Sequence, residues 1–295
     1  MLPIQHPSHN QKISFENPYG ISLFVKREDV LHEEISGNKF RKLYYNLLEA
    51  QRQGKTKLLT FGGAYSNHIA AVAAAGRIAN FETIGVIRGD ELATKYLENP
   101  TLKKASEDCM QFYFATRTQY REKYSIEFLA ELKEKFGDFY LIPEGGTNEF
   151  AVKGCEEILT EEDHSFDFIC CAVGTGGTIS GIINSLLPHQ KALGFPALKG
   201  DFIKDEIAQY AKNNRWELIT DYHFGGYAKF NANLSTFIKA FSQKNLIPLE
   251  PIYTGKLFFG VMDLISKGYF PKNSQILLIH TGGLQGLQSN ILEKI

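Results

Sequence analysis

The sequence contains little that would hold a metal ion or build a disulfide framework. Only four of the 295 residues are cysteines, and no two of them form a Cys-x-x-Cys pair. They are Cys109, Cys155, Cys170 and Cys171. Disulfide-rich domains and cysteine-based metal sites have regular spacings that are missing here. We therefore expect buried free thiols, a reducing cytoplasmic setting and no metal site.

The sequence also lacks net charge and long hydrophobic runs. Lysine and arginine number 32 against 33 aspartate and glutamate residues, which gives a formal net charge of −1. A chain with this balance has no overall field that attracts nucleic acid or anionic membrane. No apolar stretch reaches the roughly 20 residues that span a bilayer, and the N-terminus lacks a signal-peptide pattern. We expect a globular protein without nucleic-acid or membrane partners.

What is present is a recurring order of short apolar strand, glycine-rich turn and helix. Strands are predicted at residues 57–61, 83–89, 138–142, 166–173 and 275–280. Apolar strands that alternate with helices form parallel sheets covered on both faces. The sequence therefore predicts an α/β fold with two open, twisted, mostly parallel sheets. We place a small domain at 46–150 and a large domain at 1–45 plus 151–295, with the site in the cleft between them.

The segment "AVGTGGTISG" has the features of an anion-binding turn between a buried strand and a helix. Its turn residues are Gly174, Thr175, Gly176, Gly177 and Thr178. Glycines expose backbone N–H groups, and a helix N-terminus adds unpaired donors and a positive dipole end. The segment is neither a dinucleotide fingerprint, because Ile179 replaces the third glycine, nor a P-loop. A tight turn that binds nothing is the alternative interpretation.

A Ser-Gly-Asn turn comes directly before Lys39 in "EEISGNKFRKLYYNLLEA", at the start of a predicted helix. A solvated helix face would explain the basic residues Arg41 and Lys42. It explains Lys39 less well, because the tight turn before it indicates that this side chain is aimed at a target. The sequence alone leaves the identity of that target open.

Three polar residues and two tyrosines next to glycine-rich turns are further candidates. In "GGAYSNH", Ser66 and Asn67 are either plain helix N-cap residues or ligands of an anionic substrate group. His68 is interpreted as a structural histidine. Tyr227 follows two glycines in "HFGGYAKF", and Tyr253 precedes Thr-Gly in "PIYTGK". Most of the 14 tyrosines are expected to be packing residues, whereas tyrosines in loops are better candidates for exposed hydroxyl groups.

Seven segments occur in one order along the chain, and together they resemble a known family. They are "SGNKFRKLYY", "GGAYSNH", "PEGGT", "VGTGGTISG", "GGY", "PIYTGK" and "HTGG". The sequence resembles the pyridoxal-phosphate-dependent family of 1-aminocyclopropane-1-carboxylate deaminase and D-cysteine desulfhydrase, over about residues 20–286. The resemblance implies fold type II (tryptophan synthase β-like), the cofactor pyridoxal 5′-phosphate, a small amino-acid substrate and a homodimer.

The resemblance also implies a role for each candidate position. Lys39 matches the lysine that forms the Schiff base with the cofactor, and Lys42 matches the lysine that helps to hold its phosphate. Asn67 matches the residue bonded to the ring oxygen of the cofactor, and Ser66 matches the serine that faces the substrate. Gly174 to Thr178 match the phosphate loop of the family. Tyr227 and Tyr253 match its two active-site tyrosines, and Thr254 matches the residue at the pyridine nitrogen.

The residue after the second tyrosine distinguishes two reactions within this family. The deaminase pattern is Tyr-Glu-Gly-Lys, whereas this chain has Thr254 in place of the glutamate. A carboxylate beside the pyridine nitrogen favours its protonation and a strong electron sink, which the opening of a cyclopropane needs. A neutral hydroxyl leaves a weaker sink, which suffices to expel hydrosulfide. We expect D-cysteine desulfhydrase-type β-elimination, with Lys39 as the first choice of base and a tyrosine as the alternative for a D-substrate.

Other functions remain open. One is the cyclopropane deaminase, which gives 2-oxobutanoate and ammonia, and another is β-replacement with a second nucleophile. A non-catalytic protein that binds the cofactor is a third, and a phosphate-sugar or nucleotide-binding protein is a fourth. The stretch from Gly181 to Tyr227 is short for the family, and "GYAKFN" lacks the Tyr-Gly that is common after the first tyrosine. Both departures bear on the choice of substrate.

Overall fold

The computed structural model describes residues 2–35, 37–200 and 202–284. Its strands are β1 (Asn10–Ile13), β2 (Ser22–Lys26), β3 (Lys57–Gly62), β4 (Glu82–Arg88), β5 (Gln111–Ala115), β6 (Tyr140–Ile142), β7 (Phe168–Val173), β8 (Lys191–Pro196), β9 (Trp216–Leu218) and β10 (Gln275–Ile279). Its helices are α1 (Asn38–Arg52), α2 (Asn67–Ala79), α3 (Pro100–Glu107), α4 (Arg117–Arg121), α5 (Ile126–Phe136), α6 (Glu149–Glu156), α7 (Gly177–Asn184), α8 (Phe202–Ala208), α9 (Ala232–Asn245) and α10 (Thr254–Ser266). No helix in this part of the chain combines the length and apolar character needed to cross a membrane.

The strands form two sheets, as the sequence predicts. Six strands form one sheet in the order β1-β2-β10-β7-β8-β9, and four form the other in the order β5-β4-β3-β6. Neighbouring strands are parallel except β1 and β2, which pair antiparallel at one edge. The prediction of an α/β fold with mostly parallel sheets is therefore confirmed.

Five strands of these sheets were not predicted. They are β1, β2, β5, β8 and β9. None of them leads into a glycine-rich turn with a helix behind it, so the recurring pattern did not mark them. Three of them, β1, β5 and β9, are edge strands and are only partly buried. The helix predicted after residue 283 lies outside the described residues.

Each sheet is buried on both faces, which explains why its inner strands are continuous apolar runs. In the six-stranded sheet, Ile276 and Leu278 of β10 pack on the side of α9 and α10. The alternate residues Leu277 and Ile279 pack on the opposite side with α7. The four-stranded sheet has the same organisation, with α2 against one face and α5 against the other.

This arrangement brings four glycine-rich turns to the carboxyl ends of their strands. The turns follow β3, β6, β7 and β10. Helix α1 joins them, because its first turn lies against the residues after β10. The domain boundary predicted between residues 45 and 46 falls inside α1, and the boundaries themselves stay a prediction.

The cysteines differ in part from expectation. Cys155, Cys170 and Cys171 are buried free thiols, as predicted. For Cys109 the prediction of a buried thiol is wrong, because this side chain is exposed. Cys109 has a positive φ of 66° in the turn between α3 and β5, which places it at the surface.

Candidate functional site

The turn before Lys39 is shaped by a close approach of two backbone segments. Gly37 has a φ of 58° and a ψ of −131°, and it caps the start of α1. A Cβ atom at Gly37 would lie 2.0 Å from the Thr281 carbonyl oxygen. The next amide, that of Asn38, donates to the same carbonyl at 3.1 Å. Glycine is therefore required here, because both the backbone conformation and the lack of space exclude a side chain.

Two lysines of the first turns of α1 reach across to the turn after β6. The Nζ atoms of Lys39 and Lys42 donate to the same carbonyl oxygen, that of Gly145, at 3.0 and 3.1 Å. Lys42 also donates to Thr147 Oγ1 at 3.0 Å and to Thr175 Oγ1 at 3.4 Å. Its exposure is only 2%. The interpretation of Lys42 as part of a solvated helix face is therefore wrong, because its ammonium group is held between two loops.

The charges around Lys39 favour its neutral amine. Burial lowers the pKa of Lys39 well below its usual value, and the neighbouring positive charge of Lys42 lowers it further. Burial also lowers the pKa of Lys42. Among the described residues, no carboxylate lies within ion-pair distance of either Nζ atom. A desolvated lysine next to a second cation is the form best suited to attack a carbonyl carbon.

The glycine-rich turn after β7 forms a cradle with the lysine-bearing helix. Gly176 has a φ of 84° and caps α7. A Cβ atom at Gly177 would lie 2.8 Å from Thr147 Oγ1 and 3.2 Å from Lys42 Nζ. The Oγ1 atoms of Thr147 and Thr175 are 2.6 Å apart. An ammonium group, two hydroxyl groups and the first amides of a helix thus converge, and this donor set suits an anion.

Two predicted residues of this cradle differ in what they contact. Thr175 belongs to the cradle through its contact with Lys42. Thr178 is buried, and its Oγ1 accepts a hydrogen bond of 2.8 Å from Asn38 Nδ2. The latter contact connects the starts of α1 and α7. It therefore fixes Lys39, the residue next to Asn38, relative to the glycine-rich turn.

Ser66 and Asn67 lie at the start of α2, on the other side of the cleft. Ser66 is the N-cap, and its Oγ accepts a hydrogen bond from the Ile69 amide at 3.3 Å. Asn67 Nδ2 donates to the Gly283 carbonyl at 3.5 Å. The N-cap interpretation of Ser66 thus describes its local contact. The hydroxyl hydrogen of Ser66 is not used in that contact, so it can donate to a ligand.

His68 lies directly beneath the turn that accepts the two lysines. Its Nε2 is 2.9 Å from Thr60 Oγ1, and its Nδ1 has no partner among the described residues. A Cβ atom at Gly146 would lie 2.9 Å from its Cε1. Burial lowers the pKa of His68 well below its usual value, and the charges of Lys39 and Lys42 act in the same direction. The ring therefore supports the turn as a neutral imidazole.

The two candidate tyrosines pack against each other. Tyr253 caps α10, and its ring packs against Gly174, where a Cβ atom would lie 3.3 Å from its Cε1. The rings of Tyr227 and Tyr253 form an edge-to-face pair with centroids 6.2 Å apart. Tyr227 is 46% exposed. Burial raises the pKa of both phenols, which keeps them protonated near neutral pH.

Thr254 is fully buried and bonded to a carboxylate that sequence reasoning missed. Its Oγ1 donates to Glu250 Oε1 at 3.1 Å and accepts from the Glu250 amide at 3.1 Å. The Glu250 carboxylate also accepts from the amides of Ile252, Tyr253 and Thr254, at 2.6 to 2.8 Å. Glu250 therefore caps α10. An acid just before a predicted helix was the signal that could have revealed it.

Thr147 and Gly145 were also missed as individual residues. Both belong to "PEGGT", which follows a predicted strand, but no single residue of that segment stood out. The contact of Lys42 with Gly145 spans 103 positions of the sequence. The pairing of these residues thus depends on how α1 packs beside the turn after β6.

Comparisons with known proteins agree on one family. A family model described as "Pyridoxal-phosphate dependent enzyme" matches residues 11–282. A Pyrococcus horikoshii protein, provisionally named 1-aminocyclopropane-1-carboxylate deaminase, is 33% identical over 96% of this chain and 90% of its own length. The bifunctional D-cysteine desulfhydrase/1-aminocyclopropane-1-carboxylate deaminase of Arabidopsis thaliana is 31% identical over 93% of this chain and 75% of its own. A crystal structure of an ACC deaminase homologue, 29% identical, matches with a TM-score of 0.83 over 100% of this chain and 95% of that one.

The cradle fits the cofactor of that family. Lys42, Thr147, Thr175 and the first amides of α7 form a donor set for a phosphate group. Lys39 lies one helical turn away as an amine of lowered pKa, which suits an aldehyde. A Cβ atom at Gly177 would fill the cradle, which is why a glycine is needed there.

Proposed function

This chain belongs to the family of pyridoxal-phosphate-dependent enzymes, and on that premise we propose that it is a lyase of the D-cysteine desulfhydrase type. The reaction takes D-cysteine and water to pyruvate, hydrogen sulfide and ammonia. The sequence resemblance to the deaminase and desulfhydrase family is confirmed by the relatives. The choice between the two activities is our proposal.

Two parts of the site would hold the cofactor. Lys42, Thr147 and Thr175 would bind its phosphate together with the amides at the start of α7. Lys39 would provide the amine for the aldehyde carbon, since its pKa is lowered by burial and by Lys42. When bound, pyridoxal phosphate supplies the sink for the electron pair of the broken Cα–H bond.

The substrate carboxylate is placed at the start of α2. Ser66 Oγ accepts from the Ile69 amide and keeps its own hydrogen for donation to the ligand. The positive end of the α2 dipole adds to this attraction. With the carboxylate there, we assign the Cα–H bond of the substrate to the space between Lys39 and the tyrosine pair.

Proton transfer is assigned to the groups on either side of that bond. Lys39 Nζ is the first choice to take the α-proton, because burial keeps it a neutral amine. For a D-substrate the proton lies on the opposite side, and we assign its transfer there to a tyrosine of the edge-to-face pair Tyr227 and Tyr253. Hydrosulfide then leaves as the Cβ–S bond breaks.

The observation that carries the choice of reaction is the turn that contains Thr254. A threonine stands where the deaminase pattern has glutamate. The carboxylate nearest to it, that of Glu250, is 1% exposed and bonded to three backbone amides. Its oxygens are thus engaged in capping α10. We therefore assign a neutral residue, Thr254, to the position beside the cofactor ring, and this favours elimination of a good leaving group over the opening of a cyclopropane.

The second candidate is 1-aminocyclopropane-1-carboxylate deaminase, which gives 2-oxobutanoate and ammonia. Two observations favour it. The Pyrococcus and Arabidopsis relatives carry that name, and Thr254 is one hydrogen bond of 3.1 Å away from a carboxylate. Through Thr254, the Glu250 carboxylate can act on the ring nitrogen of the cofactor indirectly.

The test offers four substrates to the purified, cofactor-loaded protein. D-Cysteine, L-cysteine, D-serine and 1-aminocyclopropane-1-carboxylate are supplied separately, and keto acid, sulfide and ammonia are quantified. We expect pyruvate and sulfide from D-cysteine. The Lys39→Ala variant should abolish the release, while Lys153→Ala, which removes an exposed lysine on α6, should leave it unchanged.

The product identifies the activity. Release of 2-oxobutanoate from the cyclopropane substrate, faster than pyruvate from D-cysteine, would replace our proposal with the second candidate. Cofactor bound through Lys39 without turnover of any substrate would support the non-catalytic interpretation. Light scattering on the same sample tests the homodimer, which we propose from the family resemblance.

A further inference from the structure

We propose that Lys256 is a positioning residue for Tyr227. Tyr227 lies on a glycine-rich turn, and the Lys256 ammonium group binds this turn by hydrogen bonds. Because Lys256 belongs to the start of α10, these bonds connect the turn to the segment that contains Tyr253. The inference deepens the proposed function, because it rests on the placement of the tyrosine pair at the substrate. Lys256 itself does not touch the lysine cradle or the bonds that react.

The contacts of Lys256 are confined to backbone carbonyls of two loops. Its Nζ donates to the carbonyls of His223 and Gly226, both at 2.8 Å, and to that of Ala197 at 3.4 Å. The residue is 1% exposed, and within the described residues no carboxylate pairs with this ammonium. Burial lowers the pKa of Lys256 to about 8, against the attraction of Glu250. Burying an ammonium group is costly unless its donors are hydrogen-bonded, and here the three carbonyls accept them.

The turn that Lys256 holds has an uncommon backbone conformation. Phe224, Gly225, Gly226 and Ala228 all have positive φ, between 53° and 114°. For Phe224 and Ala228 this conformation is strained, because their Cβ atoms approach the backbone. Strained segments persist only when their surroundings over-determine them. Tyr227 stands in the middle of this strained run.

Two of the carbonyls bound by Lys256 also take part in the hydrogen bonds of this turn. His223 O also accepts from the Gly226 amide at 3.0 Å, and Gly226 O accepts from the Lys229 amide at 3.2 Å. Each carbonyl thus accepts one hydrogen bond of the turn and one from Lys256. The Gly226 carbonyl belongs to the peptide bond that leads into Tyr227, so its orientation sets where the Tyr227 side chain begins.

The backbone of Lys256 is also close to the site. Lys256 lies three residues after Tyr253, in the first turn of α10. One side chain therefore sets the distance between the backbones of Tyr227 and Tyr253. The edge-to-face contact of the two tyrosine rings depends on that distance. The third acceptor, Ala197, follows β8 and fixes the pair to the sheet.

The experiment compares two substitutions of Lys256 with one of Lys267, the residue that follows the last residue of the same helix. Lys256→Met keeps the length of the side chain and removes all donors, and Lys256→Gln restores N–H donors without charge. Lys267→Met is the matched control, because Lys267 is exposed at the end of α10 and contacts Asp263. Hydrogen exchange of the peptide that covers residues 223–230 is measured on the cofactor-loaded proteins without substrate.

We expect Lys256→Met to raise the exchange rate of this peptide by about tenfold or more, with Lys256→Gln between it and wild type. With D-cysteine, kcat/KM should fall by about 10- to 100-fold, as for a catalytic group displaced by about 1 Å. If Lys256 acts through Tyr227, kcat/KM of the Lys256→Met/Tyr227→Phe double variant should be only a little lower than that of the less active single variant. Lys267→Met should change neither measurement.

Either of two results would overturn the inference. One is unchanged exchange of residues 223–230 in a folded Lys256→Met protein. The other is a double variant whose loss is the product of the two single losses, since that would mean that the two residues act independently. Failure of the proposed function is distinguishable, because wild type would then release no pyruvate and no sulfide from D-cysteine. The exchange measurement needs no substrate and would still decide whether Lys256 holds the turn.

Discussion

At the scale of single residues, the site depends on two lysines of α1 that share one acceptor. Lys39 and Lys42 both donate to the Gly145 carbonyl, which places two amino groups close together in a buried setting. Lys42 alone of the two also donates to threonine hydroxyl groups. The better-bonded Lys42 thus retains its charge more readily, and Lys39 is left as the amine that gives up its proton.

Removing Lys42 should therefore raise the pKa of Lys39. In Lys42→Met the nearby positive charge that disfavours protonated Lys39 is gone, while the desolvation of Lys39 remains. Competitive acetylation of the cofactor-free protein across a pH series, read by mass spectrometry, reports the titration of Lys39. We expect its midpoint below the usual lysine value in wild type and nearer to that value in the variant.

The matched control for this titration is Lys153→Met, which removes one positive charge from the surface of α6. It should leave the midpoint of Lys39 unchanged. An identical Lys39 midpoint in wild type and Lys42→Met would mean that the two amino groups do not interact, and it would remove the electrostatic reason for Lys39 as the reactive amine.

At the scale of elements, the start of α1 is the feature that aims Lys39. Gly37 stands against the backbone after β10, and Asn38 bonds both the Thr281 carbonyl and Thr178 at the start of α7. Three chain segments thus fix the first turn of this helix. The sequence marked the turn through its Ser-Gly-Asn residues, but it did not reveal that a distant carbonyl occupies the space beside Gly37.

Gly37→Ala should be far more destabilising than Gly54→Ala, although both glycines have positive φ. At Gly54 nothing lies within 4 Å of an added Cβ, so only the backbone strain remains, about 1 kcal/mol. At Gly37 the same strain is joined by a backbone oxygen 2.0 Å away, and we expect a loss of about 3 kcal/mol or more. Urea unfolding of both variants measures the difference.

Cofactor binding separates the two variants further. Gly37→Ala should weaken binding of pyridoxal phosphate, because the displaced start of α1 carries Lys39. Gly54 lies beyond the C-terminal end of α1, so the Gly54→Ala variant should bind pyridoxal phosphate as wild type does. Equal free energies of unfolding for the two variants would show that the Thr281 segment moves aside freely, which would contradict a fixed start of α1.

At the scale of the whole molecule, two sheets buried on both faces enclose many aromatic residues. Tyr140 lies in the core of the four-stranded sheet and donates to Asn46 Oδ1 at 3.1 Å. Burial raises the pKa of Tyr140 to about 12. In the six-stranded half, burial and Asp263 raise the pKa of Tyr222. The folded chain therefore retains phenol protons that the unfolded chain releases near pH 10.

Stability should fall with alkaline pH for this reason. Above about pH 10 the unfolded state binds fewer protons than the folded state, so the free energy of unfolding decreases as pH rises. For Tyr140 this decrease extends to about pH 12 and amounts to roughly 3 kcal/mol. Urea unfolding at a series of pH values from 9 to 12 measures it.

Tyr140→Phe should reduce the slope of this pH dependence, because the phenol that differs between the two states is removed. The exposed Tyr65→Phe is the control and should leave the slope unchanged. A free energy of unfolding that does not vary between pH 10 and 12 would contradict the assignment of buried phenol groups to the core.

The sequence by itself determined the class of fold, the family and most of the candidate residues. Short apolar runs followed by glycine turns are local features, because strand length and turn conformation depend on neighbouring residues. Lys39 and Lys42 stood out for the same reason, since a tight turn and a helix start are encoded within a few positions. The strands outside this pattern, such as β8, were missed because nothing local distinguishes them.

Only the tertiary structure decided how these residues act on one another. The shared acceptor of the two lysines lies more than 100 positions away, and the carboxylate of Glu250 is turned inward to cap α10 rather than toward the cleft. Lys256 reaches a turn 30 positions earlier in the chain. Such contacts follow from how helices and sheets pack, and packing depends on the whole chain, so no local pattern could have specified them.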